Sequence, residues 1–135
     1  MFTYQTKTKK LSGTSYGEVR KKAMNLYNQI AGKTKRRPYI RSRYFDKQKI
    51  FFDYFWPHLF QKNPKERFRR LKFFAAALEA IQESGNHPTS IENPNKNEVL
   101  HRFAALTKDK ELFYLQIKEN KRKGRKYFMS CFPAE

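Results

Sequence analysis

The sequence is poor in the residues that build cross-links and metal sites. It has one cysteine, Cys131, and three histidines, His58, His87 and His101, among 135 residues. A lone thiol cannot close an internal disulfide, and these four side chains are too scattered for a structural zinc site. Neither a metal nor another cofactor is therefore expected. No stretch of eighteen apolar residues occurs, which excludes a membrane-spanning helix. The opening Met1-Phe2-Thr3-Tyr4-Gln5 lacks the apolar core of a secretion signal, and the expected location is the cytoplasm. Acidic residues are few: 12 Asp and Glu stand against 30 Lys and Arg, a formal net charge of +18.

Aromatic residues are plentiful. Thirteen Phe, eight Tyr and one Trp make up 16% of the chain. They supply enough apolar surface to offset the ordering entropy of so charged a chain, so a folded protein is expected and not a basic tail. The charge instead speaks about partners: nucleic acid, an anionic membrane surface or an acidic protein. It is uneven, with a net of +11 over residues 1–44, +3 over 45–84 and +4 over 85–135. A polyanion is felt most strongly by the N-terminal third.

Residues 1–14 show no sustained period and read as a basic arm. Residues 15–135 read as one α+β domain, with a helical part 15–85, a linker 86–98 and a sheet 99–133. Ser15 and Glu18 have the spacing of a capping box. Val19, Ala23, Leu26, Tyr27 and Ile30 follow at helical spacing, and Gly32 suits a left-handed stop. Ile50, Phe51, Tyr54, Phe55 and Leu59 predict a second helix over 46–61, kinked or split at Pro57. Asn63, Pro64 and Glu66 open a third, with Phe68, Leu71, Ala75, Leu78 and Ile81 on its inner face and Ser84-Gly85 at its end. Beyond the linker the period changes to alternation, and 100–107, 112–118 and 126–132 predict strands. The fold expectation is about three N-terminal helices followed by a small antiparallel meander of at least three strands.

Parity along the strands assigns faces. Phe113, Leu115 and Ile117 point one way, toward the helices. Tyr114, Gln116 and Lys118 point the other, beside Ser130 and either His101 or Arg102. Phe128, Ser130 and Phe132 share one face of the last strand, and Tyr127, Met129 and Cys131 the other. Glu119 falls on the helix side or in the turn. Cys131 reads as a small buried hydrophobe.

His101 near the start of the first strand, and the ending Ser130-Cys131-Phe132-Pro133, resemble the superfamily of barnase, EndoU, the colicin tRNases and RelE-like toxins. Many members end in a strand of the form Ser/Thr-x-Tyr/Phe-Pro. The resemblance covers about residues 98–135. It implies N-terminal helices against a small antiparallel sheet whose free face cleaves RNA without metal. In that reading His101 is the acid or base, Lys118 (or Arg102) stabilises the phosphorane, and Ser130 with Gln116 holds phosphate oxygens. Tyr114 or Phe128 stacks on a base.

Basic runs define the expected nucleic-acid contacts. Lys35, Arg36 and Arg37 lie in one turn, Arg41 and Arg43 follow, and Arg67 and Arg70 sit on the outer side of the third helix. Arg102 and Tyr114 belong to the sheet. Arg122, Lys123, Arg125 and Lys126 fill a hairpin in which like charges repel unless committed to a partner. The expected function is RNA binding, RNA ahead of DNA, by a metal-independent endoribonuclease of this toxin kind with an acidic inhibitor protein as partner. The alternatives are a non-catalytic nucleic-acid-binding accessory and a ribonucleoprotein subunit.

Overall fold

A computed structural model describes residues 3–134. Residues 1 and 2 of the predicted arm, and residue 135 at the end of the predicted domain, lie outside it. In chain order the elements are β1 (Thr3–Gln5), α1 (Tyr16–Gly32), β2 (Tyr39–Ser42) and β3 (Gln48–Phe51). Then come α2 (Phe55–Phe60), α3 (Pro64–Leu71), α4 (Phe74–Glu83), β4 (Thr89–Asn93), β5 (Glu98–Leu106), β6 (Leu112–Asn120) and β7 (Arg125–Pro133).

The chain is α+β, but the expected small meander behind three helices is wrong. One mixed sheet of seven strands, in the order β1-β5-β6-β7-β3-β2 with β4 also on β5, dominates it. Helices stand before and among the strands. The predicted meander, β5-β6-β7, is its centre. β3 adds to β7 in parallel and β2 to β3 antiparallel. On the far side β4 pairs with residues 98–102 of β5, while β1 lies parallel to residues 104–106 on the same edge. The predicted linker therefore contains a strand, and so does the predicted arm.

The predicted 46–61 helix fails for a local reason. Ile50 and Phe51 fit helical spacing, but they fit a short strand equally, with Ile50 fully buried and Phe51 on the other face. Asp46 and Lys47 take left-handed φ values of 55° and 64°, and the Gln48 amide donates to Phe45 O at 3.0 Å. That closes a tight β2–β3 turn. Helix survives only in α2, where Pro57 sits in the first turn and forfeits no intrahelical bond.

The caps follow the sequence more closely. Ser15 Oγ accepts from the Glu18 amide at 3.3 Å, and Asn63 Oδ1 from the Glu66 amide at 2.9 Å. Gly32, however, remains inside α1, and Lys33 caps it with ordinary helical φ. The predicted third helix breaks into α3 and α4 around Phe73. The break lets Phe73 stack on Phe113 (5.1 Å) while Phe74 packs against Phe55 (5.1 Å).

The core lies between the helices and one face of the sheet. Phe113, Leu115, Ile117, Phe103, Ala105, Ile40 and Ile50 project into it and meet Val19, Leu71, Phe74 and Ile81. A bulge in β7 corrects the parity reading there. Gln116 faces Ser130, but the next residue, Ile117, faces Phe128 and skips Met129. Phe128 thus joins Cys131 on the core side, stacked 4.6 Å from Phe55, and Tyr127 joins Ser130 and Phe132 on the outer side.

Candidate nucleic-acid interface

Strand pairing fixes what the outer face displays. Tyr39 faces Phe51, Phe51 faces Tyr127, Tyr127 faces Lys118 and Lys118 faces Leu100. One row thus crosses five strands. Ring centres are 6.0 Å apart for Tyr39–Phe51 and 6.1 Å for Phe51–Tyr127. Tyr127 itself is buried, 6% exposed, and Tyr54, from the segment between β3 and α2, stands 4.7 Å from it, edge to face.

Cations lie over these rings. Lys49 Nζ and the Arg41 guanidinium carbon are 4.7 and 5.4 Å from the Tyr39 ring. The Arg37 guanidinium is 5.5 Å from Phe51, and Lys118 Nζ is 4.6 Å from Tyr54. Farther along the sheet, Tyr114 faces Phe132, and Arg102 covers both rings at 5.5 and 5.4 Å. Arg70 reaches Phe132 from α3 at 5.2 Å. The carboxylates here are committed: Asp53 pairs with Arg37 at 2.7 Å and Glu98 with Lys118 at 3.3 Å.

Between the two aromatic groups, Arg102, Gln116 and Ser130 align across β5, β6 and β7. With its amide oxygen toward Arg102, Gln116 accepts from the guanidinium at 3.0 and 3.3 Å and donates to Ser130 Oγ at 3.2 Å. Parity therefore grouped Gln116, Ser130, Tyr114 and Lys118 on one face, and register places Arg102, not His101, beside them.

His101 lies on the opposite, core-facing side, across from Ile117. It is buried, with Nδ1 2.7 Å from Ser90 Oγ and Nε2 2.8 Å from Glu119 Oε1. The Phe45 ring packs against it at 5.0 Å. Lys126, predicted to contact nucleic acid, is buried in the same cluster. Its ammonium donates to Gln48 Oε1, lies 3.8 Å from Glu119 Oε2 and sits 5.0 Å from the Phe45 ring. The predicted quartet of His101, Lys118, Ser130 and Gln116 is thus split across the thickness of a sheet. A single phosphate could not touch all four.

The remaining predicted cations divide. Lys35, Arg36, Arg37 and Arg125 line one cavity of about 540 Å³ with Tyr39 and Phe51. Arg122 and Lys123 are exposed in the β6–β7 turn, where both backbone amides donate to Asn120 Oδ1. Arg43 turns away and donates to Glu83 O at 3.0 Å, at the end of α4. Arg67 donates to Phe60 O at 2.7 Å beyond α2. Cys131 is fully enclosed, and burial pushes its thiol up to about 12 against the opposing charge of Arg70.

Residues that the sequence reading missed are Tyr39, Phe51, Tyr54, Tyr127, Phe132 and Lys49. Tyr39 and Phe51 each stand two residues from a cation on their own strand, a period-two signal that the helical reading of 46–61 hid for Phe51. Among the described residues no helix is long and apolar enough to cross a membrane. In comparisons with known proteins, no family model, no curated protein and no solved structure matches this chain.

Proposed function

We propose that this protein binds single-stranded nucleic acid, RNA ahead of DNA, along the outer face of its sheet, as a non-catalytic binding protein. The observation that carries the reading is the set of Tyr39, Phe51 and Tyr54, joined through the buried Tyr127, with Arg41, Lys49, Arg37 and Lys118 set over the three outer rings. Bases of any identity stack on aromatic side chains, at about 1–3 kcal/mol each. The interleaved cations take the phosphates and release counterions. A duplex hides its base faces, so an aromatic sheet surface suits an unpaired strand. Cleavage is not part of the proposal, because the acid–base residue and the phosphate-holding residues lie on opposite faces.

The test is fluorescence anisotropy with a labelled oligouridine over a series of salt concentrations. Affinity should fall with salt by a slope of about −0.7 per phosphate engaged. Tyr54→Ala and Tyr114→Ala should each weaken binding, and total RNA incubated with the protein in EDTA should stay intact. Salt-insensitive association, or variants that bind as the parent does, would overturn the reading.

A further inference from the structure

The aromatic row ends at β2, the last strand of the sheet, and a pocket stands at that end. It holds about 540 Å³ and gathers six cations: Lys33, Lys35, Arg36, Arg37, Lys49 and Arg125. Among the described residues no carboxylate lines it. Arg37 is tied to Asp53, whereas the other five make no ion pair among the described residues.

Two plainer explanations fall short. Cations near the C-terminus of α1 complement its dipole, but that end carries only about half a negative charge, which one lysine satisfies. A passing strand also brings too little charge. A cube of this volume is about 8 Å on an edge, and a single strand carries one negative charge per nucleotide, so one or two phosphates would fit where five cations without an ion pair wait. The excess calls for several phosphate charges in one compact group. Tyr39 and Phe51, which wall the pocket, also begin the stacking row.

We infer that this pocket binds the 5′-polyphosphate end of an RNA strand. The terminal base stacks on Tyr39 or Phe51, and the rest of the strand runs from there toward the exposed Tyr54. The inference rests on the nucleic-acid reading above and adds to it a preference for one kind of end. Arg36 and Arg37 offer planar, bidentate donors for phosphate oxygens, and the lysines add point charges.

The experiment compares one RNA 12-mer carrying a 5′-triphosphate with the same 12-mer carrying a 5′-hydroxyl, by anisotropy at fixed salt. The triphosphorylated strand should bind at least about tenfold tighter. The double variant Lys35→Ala/Arg36→Ala should abolish that difference, bringing the two strands to equal affinity, with the melting temperature unchanged. Inorganic tripolyphosphate should compete for the increment alone. Equal affinity for both strands would overturn the pocket assignment and leave the outer-face reading standing. Failure of both strands to bind would remove both. A free nucleoside triphosphate that binds as tightly as the triphosphorylated strand would make the pocket a nucleotide site and overturn its role at RNA ends.

Discussion

Lys118 holds its ammonium 4.6 Å from the centre of the Tyr54 ring, although the two residues come from opposite halves of the chain. The contact puts a cation and a half-free aromatic at one spot on the outer face, since Tyr54 remains 41% exposed. Tyr54→Ala is expected to weaken oligouridine binding by roughly 5- to 150-fold, the value of about one stacked base. Its melting temperature should scarcely change, because little apolar area is lost from the core. Anisotropy and a thermal melt on the same sample measure both.

Arg102 contributes charge where Tyr54 contributes a ring. Its guanidinium covers Tyr114 and Phe132 and is also held by Gln116. Arg102→Ala should lower affinity about equally for all sequences and make the salt slope shallower by about 0.7, one phosphate contact on a single strand. A slope identical to the parent's would show that Arg102 touches no phosphate.

His101 should behave as a structural residue. His101→Ala leaves Ser90 Oγ and Glu119 Oε1 without their partner beside the buried Lys126, and a loss of roughly 1–3 kcal/mol of stability is expected. Denaturant titration measures it. Oligouridine affinity should be unaltered under native conditions, and a selective loss of binding would contradict this placement.

Glu79 links acid stability to the N-terminal segment. Its carboxylate accepts from Thr8 Oγ1 at 2.5 Å, from the Lys7 amide at 2.9 Å and from the Tyr4 hydroxyl at 2.9 Å. Burial alone would raise its pKa. The hydrogen bonds and the Lys7 charge outweigh burial and hold it below the usual carboxylate value. A carboxyl depressed on folding stabilises the protein above its unfolded pKa, about 4.3, and loses that contribution as pH falls through the folded value. Glu79→Gln should therefore lower the melting temperature at neutral pH and flatten its decline in acid. A parallel decline in the two proteins would remove Glu79 as the cause.

Phe128 tests the bulge. It is fully buried between Phe55 and Phe52, so Phe128→Ala should cost about 3–5 kcal/mol. Tyr127→Phe, on the outer side, should cost far less. The adjacent Cys131 thiol should stay unreactive toward iodoacetamide until the protein unfolds, given its burial and raised pKa.

The strands of the meander and two helix caps were legible because they rest on local signals: alternation in 112–118, Ser15 with Glu18, Asn63 with Glu66. β4 was not, since all five of its residues are exposed and it has no apolar side to alternate; backbone pairing with β5 holds it. β3 was lost because Ile50 and Phe51 satisfy two periods over so short a span, and only partners in β2 and β7 decide between them. The candidate site was half visible. Tyr114, Gln116, Lys118 and Ser130 share a face by parity alone. Whether Arg102 or His101 joined them depended on register, which parity cannot supply. Lys126 read as a surface charge because it continues the basic run of the hairpin, whereas its pairing with Glu119 and Ile50 turns it inward.

The parallel pairs β1–β5 and β3–β7 join early segments of the chain to late ones: Thr3 lies beside Ala104, and Ile50 beside Lys126. Neither early strand has its neighbour when it leaves the ribosome. The β2–β3 hairpin, with the Tyr39–Phe51 end of the aromatic row, stays undocked until β7 has been made. A chain stopped short of β7 would lack Tyr127, the partner of Phe51 in the row, so the outer face can be completed only once β7 has been made.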